Sequence, residues 1–179
     1  AHVLNRAGYR TACIGTWHLG WNWGVKDRHE PTAGDWNGNH QAWIDFTRPV
    51  TGGPLDHGFD RFYGIIGSLD MPPYVFVEND RPVAEPEAWA TDREFIREGY
   101  RQADLRAHTV LGELTRRAVD FIGRQSADQP FFLYMPLTAP HSPIAPSAGF
   151  LGASGVSPYA DFCMEVDHRI GQVMDVLKA

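Results

Sequence analysis

Apolar positions along this chain fall in short runs that end in polar, glycine-marked tips. Thr11-Ala12-Cys13-Ile14 is small to apolar without helical periodicity, bounded by Tyr9-Arg10 and Gly15. Such a run reads as a strand covered on both faces. Thr16, Trp17 and His18 follow it, closed by Gly20. Residues 58–66 lead from a turn into an aromatic and β-branched strand that ends at Gly67-Ser68-Leu69-Asp70. Residues 74–77 and 81–83 flank Glu78-Asn79-Asp80, the pattern of a small hairpin.

Helical periodicity enters at residues 109–124. Leu111, Leu114, Ala118, Phe121 and Ile122 share one face, Glu113, Arg116, Arg117 and Asp120 lie mostly away from it, and Thr109 can cap the start. Residues 126–130 end that helix, and Phe131-Phe132-Leu133-Tyr134-Met135 follows as a second wholly apolar run. Helix, short loop and buried strand make the second half of a βαβ unit, so a parallel sheet follows. A last helix starts with Ser157 as N-cap and Pro158 at its first position. Tyr159, Phe162, Cys163, Val166, Ile170, Val173, Met174 and Leu177 form its expected buried stripe. Asp167 falls on that stripe, where a carboxylate needs partners and reads as a structural hydrogen-bonding group holding a neighbouring loop. The expected fold class is α/β, a mostly parallel central sheet with flanking helices.

Four stretches resist this reading. Residues 1–8 look like the end of a helix with Gly8 as its C-cap, and residues 173–179 stop without a cap, so the chain reads as part of a longer one. Residues 21–54 dissolve into Gly, Asn, Asp, Trp and Pro, and five of the six tryptophans lie in or beside them. That loop is expected to build a small aromatic core of its own rather than a carbohydrate-stacking wall. Residues 85–104 are mixed and acidic and receive no assignment.

Composition narrows the class. The 179 residues suffice for one domain with a core, and 43% hydrophobic with 21% charged residues describes an ordinary folded protein. A net charge of −6 without any Lys/Arg cluster argues against a nucleic-acid surface, and no apolar run reaches membrane-spanning length. Cys13 and Cys163 read as two isolated buried thiols.

Candidate chemistry sits after the strands. Residues 136–146 carry four prolines, which make a stiff loop with His141 in its middle. If residues 11–14 and 131–135 are parallel strands of one sheet, His18 and His141 both emerge at its carboxyl edge, where α/β sheets place ligands. Asp70 follows its own strand towards the same edge. Two imidazoles on rigid loops suit recognition of an oxyanion, proton donation to a leaving oxygen, or metal ligation. Other schemes fail. No G-x-S-x-G, Walker, G-x-G-x-x-G or H-E-x-x-H motif occurs. Asp35-Trp36-Asn37-Gly38-Asn39 is a turn and not a calcium loop, because its glycine comes too early and Phe46 stands at the bidentate position. His29, His40 and His57 lack zinc-ligand spacing.

Residues 7–20, AGYRTACIGTWHLG, resemble the sulfatase family's AGYRTA-x-IGKWHLG segment. Residues 58–64 are similar to its GFD-x-FYG turn, and residues 70–81 to a stretch of many bacterial members. Residues 117–122, 130–134 and 139–143 resemble its RA-x-DFI helix, the following strand and the APH-x-P loop, all in the family's order. The resemblance implies an alkaline-phosphatase-like fold, with residues 1–179 as the incomplete central part of a single catalytic domain. It implies hydrolysis of sulfate esters of a carbohydrate or aryl compound, by a formylglycine beside a calcium ion, in a periplasmic or secreted protein. His18 matches the histidine at the formylglycine hydroxyls, and His141 the one on the sulfate that donates a proton to the leaving group. Thr16 and Asp70 are the expected substrate-binding positions. The expected partner is a sulfated small molecule or glycan, with no nucleic acid and no membrane span. The formylglycine motif C/S-x-P-S-R is absent, and the calcium ligands are expected outside this chain. Thr16 stands where the family has a lysine; its hydroxyl can donate a hydrogen bond but supplies no charge. Two alternatives stay open: a phosphoesterase or phosphonate hydrolase of the same superfamily, and a degenerate protein that binds sulfated glycans without cleaving them.

Overall fold

The computed structural model describes residues 1–26, 38–90 and 94–178, and the side chains of these except for residues 38–40. Ten elements follow in order: α1 (His2–Arg6), β1 (Arg10–Thr16), β2 (Arg61–Ile65), β3 (Val77–Glu78), β4 (Arg81–Pro82), β5 (Ala88–Ala90), β6 (Gly99–Arg101), α2 (Ala107–Gly123), β7 (Phe131–Tyr134) and α3 (Pro158–Lys178). Five strands form one sheet in the order β4-β3-β2-β1-β7. β1 runs parallel to both β2 and β7, while β3 and β4 add an antiparallel hairpin at one side. The fold is α/β: a mixed sheet with a parallel centre and flanking helices.

β1 is buried because both faces of the sheet are covered. Ala12 and Ile14 point into a cluster with Tyr63, Ile65 and the α2 residues Val110, Leu114, Ala118, Phe121 and Ile122. Cys13 points the other way, into a cluster with Trp17, Phe59, Phe62 and Val77, flanked by Trp21 and Trp23. The described tryptophans of that stretch pack on one another and onto the sheet rather than into a separate core: Trp21 meets Trp23 and Phe62 edge-on, and Trp23 meets Phe46. Trp36, His29 and the turn at residues 35–37 lie outside the described residues. Cys13 and Cys163 are both free thiols, but only Cys13 is buried as expected; Cys163 on α3 is half-buried. The unassigned stretch contains a hairpin, β5 with β6.

Four further expectations need correction. α2 begins two residues before Thr109, whose hydroxyl donates to the Arg106 carbonyl; the Glu94 carboxylate instead accepts from Ala107 N at 2.6 Å. The cap arrives from 13 residues upstream, beyond any local pattern. β7 is an edge strand within the described sheet and only half-buried, with Tyr134 exposed. On α3, Phe162 is buried as expected, but Tyr159, Ile170, Met174 and Leu177 are exposed. Asp167 is exposed as well. The buried carboxylates of α3 are Asp161 and Glu165. They hold loops: Asp161 accepts from Gly152 N, Ser154 N and Ser154 Oγ, and Glu165 accepts from Ser147 N and Arg169. Helical periodicity located the right turn of the helix but not which face meets α2.

Candidate active site at the carboxyl edge of the sheet

Two glycines let three backbones meet at the carboxyl end of β1. Gly15 pairs with Gly64 across the parallel ladder. A Cβ on Gly64 would lie 1.8 Å from the Gly15 carbonyl oxygen, and one on Gly15 would lie 2.0 Å from that of Pro136. Gly15 also has φ +148°, a conformation that side chains disfavour. The closeness permits cross-links: Thr16 N donates to the Pro136 carbonyl at 2.8 Å, Trp17 N to Ile65 at 2.9 Å and His18 N to Ile66 at 2.7 Å. The chain leaving β1 is thereby tied to the segments leaving both β7 and β2.

Trp17 anchors the tip. It is buried, meets Phe59 edge-on at 6.3 Å and His57 at 5.6 Å, and donates its indole N–H to the Gly20 carbonyl at 2.8 Å. His18 follows with φ +54°, a left-handed conformation uncommon outside glycine, and its side chain stands exposed. The His141 loop is held from beneath, where Ala139 packs with Leu111 of α2 and Phe162 of α3. His141 is exposed, and its Nδ1 lies 2.7 Å from the Ser142 carbonyl. A carbonyl only accepts, so Nδ1 carries the proton and Nε2 is left for chemistry.

Thr16 is buried, and its hydroxyl has no partner among the described residues. Thr138, two residues past Pro136, likewise has a buried hydroxyl with no partner among them. Buried hydroxyls are usually satisfied, so two orphans on adjoining segments mark polar capacity available to a ligand. Asp70 accepts from Ser68 Oγ and has Arg97 Nη2 at 3.8 Å. The structure thus joins the segments bearing Thr16, His18 and His141, and puts Asp70 on the loop after β2. No hydrogen bond or ion pair links any two of these four side chains. Thr138 and Arg97 were not singled out from the sequence. Thr138 lies three residues before His141 in the proline-rich loop, a signal that could have found it; Arg97 lies in the unassigned stretch and had none.

Among the described residues no group of three His, Cys, Asp or Glu side chains could hold a metal ion. The residues present therefore do not fit the calcium ion that the family resemblance implies. No helix among them is long and apolar enough to cross a membrane.

A sheet with its polar tips gathered at the carboxyl ends of parallel strands is the arrangement in which open α/β folds place ligand and chemistry at that edge. Comparison with known proteins makes this specific. The sulfatase family model matches residues 1–179, and the chain belongs to that family. It is 30% identical over 180 residues to human N-acetylgalactosamine-6-sulfatase, covering 98% of this chain and 28% of that protein. It is 27% identical to the N-acetylgalactosamine-6-O-sulfatase of Bacteroides thetaiotaomicron, covering 99% of this chain and 38% of that one. A solved structure from work on glycosaminoglycan metabolism by Bacteroides thetaiotaomicron superposes with a TM-score of 0.78 at 25% identity, over 99% of this chain and 41% of its own. The fold is thus that of the alkaline-phosphatase-like sulfatases, and the chain is a part of a sulfatase domain spanning well under half of these relatives' length.

Proposed function

We propose that the complete protein hydrolyses sulfate esters of a glycan or aryl compound, and that residues 1–179 form the central part of a single catalytic domain. The observation that carries this is the cross-linking of the β1, β2 and β7 exits, which gathers the His18 and His141 loops at one sheet edge. His18 and His141 are the catalytic residues of this reading, and Thr16 and Asp70 bind substrate. His141, with Nδ1 held by the Ser142 carbonyl, presents Nε2 to the ester oxygen; protonated, it gives that proton to the departing alkoxide as the S–O bond breaks. His18 projects from a backbone held by Ile66 and Trp17 and donates to the developing oxyanion. The nucleophile and any calcium ligands belong to sequence outside these residues. The names of the relatives favour a sulfated amino sugar as substrate.

The test is an assay of the complete protein on matched aryl sulfate and aryl phosphate esters. A preference for sulfate is expected, with His18→Ala and His141→Ala each lowering kcat by about 100-fold or more. A preference for phosphate would overturn the reading in favour of a phosphoesterase. A second reading, glycan binding without cleavage, has the uncharged Thr16 in its favour. Thr16→Lys in the complete protein separates the two: a rise in turnover supports a sound catalytic site, and an unchanged absence of turnover supports binding alone.

A further inference from the structure

At the opposite end of the sheet, a cleft of about 480 Å³ opens between the starts of β1 and β2 and the last turns of α2. Arg10 and Thr16 are six residues apart on β1, so the arginine end of this cleft lies about 20 Å from Thr16. Four arginines line it: Arg10, Arg61, Arg117 and Arg124. Its acidic residues are already engaged. Asp60 accepts from Thr11 N at 2.8 Å and from Asn5 at 2.6 Å. Asp120 pairs with Arg116 at 2.9 Å, and Glu78 with Arg117 at 3.7 Å. Arg117 is further held by Glu113 at 2.9 Å and lies over the Tyr63 ring.

Arg10, Arg61 and Arg124 are left without any side-chain hydrogen bond or ion pair among the described residues. Three exposed arginines without such partners among the described residues, from β1, β2 and the C-cap of α2, therefore line one concavity, with Ile14 and Phe121 as part of its apolar wall. Guanidinium forks match the paired oxygens of sulfate and phosphate and bind them more strongly than neutral donors do. The chain's net charge of −6 repels anions at long range, so an anion held here is held by this local donor set.

We propose that this cleft is a second anion site, which takes a sulfate or phosphate group through Arg10, Arg61 and Arg124. The group arrives either as the free inorganic anion or as an ester on a glycan, and both present the same tetrahedral oxyanion.

The experiment is calorimetric titration of the complete protein carrying His18→Ala and His141→Ala, which removes the proposed catalytic donors and leaves the cleft intact. The probes are inorganic sulfate, inorganic phosphate and a chondroitin 6-sulfate tetrasaccharide. Binding should persist in that protein and weaken by about tenfold or more when Arg10→Gln, Arg61→Gln and Arg124→Gln are added. Arg124→Gln alone, at the exposed end of α2, should give a smaller loss in the same direction should the triple variant fail to fold. Binding of the inorganic anions identifies the free ion as ligand; binding of the tetrasaccharide alone identifies the ester. Binding that is indifferent to the arginines overturns the proposal. So does an absence of binding by all three probes, which would make the cleft a contact for other polypeptide. The readout needs no turnover, so it stands whether or not the sulfatase reading does.

Discussion

Replacing Gly15 by alanine probes the contact on which the candidate site depends. The new Cβ would start 2.0 Å from the Pro136 carbonyl oxygen. Carbon and oxygen settle at about 3.3–3.6 Å, so β1 and the segment after β7 must part by more than about 1 Å. That separation breaks the 2.8 Å bond from Thr16 N to Pro136, a loss of about 0.5–1.5 kcal/mol. Overpacking of this kind adds about 1–3 kcal/mol. A side chain at φ +148° adds about 1 kcal/mol or more. The expected destabilisation is about 3 kcal/mol or more, read as a melting temperature lower by about 3 °C or more in the complete protein. Gly171→Ala is the control, since α3 leaves nothing within 4 Å of its Cβ; it should stabilise by up to about 1 kcal/mol. Activity should fall with Gly15→Ala even at temperatures where the protein stays folded, because the displaced segment carries His141. A Gly15→Ala protein that melts within about 1 °C of the parent and keeps its activity would refute the reasoning, since it would mean that the two segments part without consequence.

Other outcomes follow from groups away from that contact. Glu165 is fully buried and holds both Ser147 N and Arg169; Glu165→Ala should cost about 3–5 kcal/mol in urea unfolding, and Glu165→Gln less because it keeps an acceptor for Ser147. Hydrogen bonds from Ser154 and Gly152 hold the Asp161 carboxyl below the usual carboxylate range. Its stabilising effect is therefore complete above the unfolded value of about 4 and fades as pH falls through the lower folded value. Asp161→Asn should be less stable than the parent at neutral pH, with the gap closing in acid; a gap that widens in acid would contradict the assignment. Burial pushes the Cys13 thiol up to about 12. In the native protein iodoacetamide at pH 8 should modify Cys163 well before Cys13, as peptide mass analysis would record, and equal rates would argue against a closed sheet face over Cys13.

Family membership and the strand-to-loop plan could be read from residues 7–20, 58–64, 70–81, 117–122 and 130–143 taken together, because each of those features is local. A buried parallel strand needs an apolar run, a close backbone approach needs glycine, and a stiff loop needs proline, so each leaves its mark within a few neighbours. The helix α2 was legible for the same reason: Leu111, Leu114, Ala118, Phe121 and Ile122 repeat at helical spacing and are all buried. What the tertiary structure decided was every relation between distant segments. Glu94 caps α2 across a gap that no capping pattern spans. Glu165 and Asp161, not Asp167, are the buried carboxylates of α3, because a helix with apolar residues around much of its girth does not announce which side meets α2. The hydroxyls of Thr16 and Thr138, and the arginines Arg10, Arg61 and Arg124, which lack a side-chain partner among the described residues, depend on what does not lie nearby. Only packed coordinates hold that information, since the absence of a partner is a property of the whole surroundings and not of the residue or its neighbours in sequence.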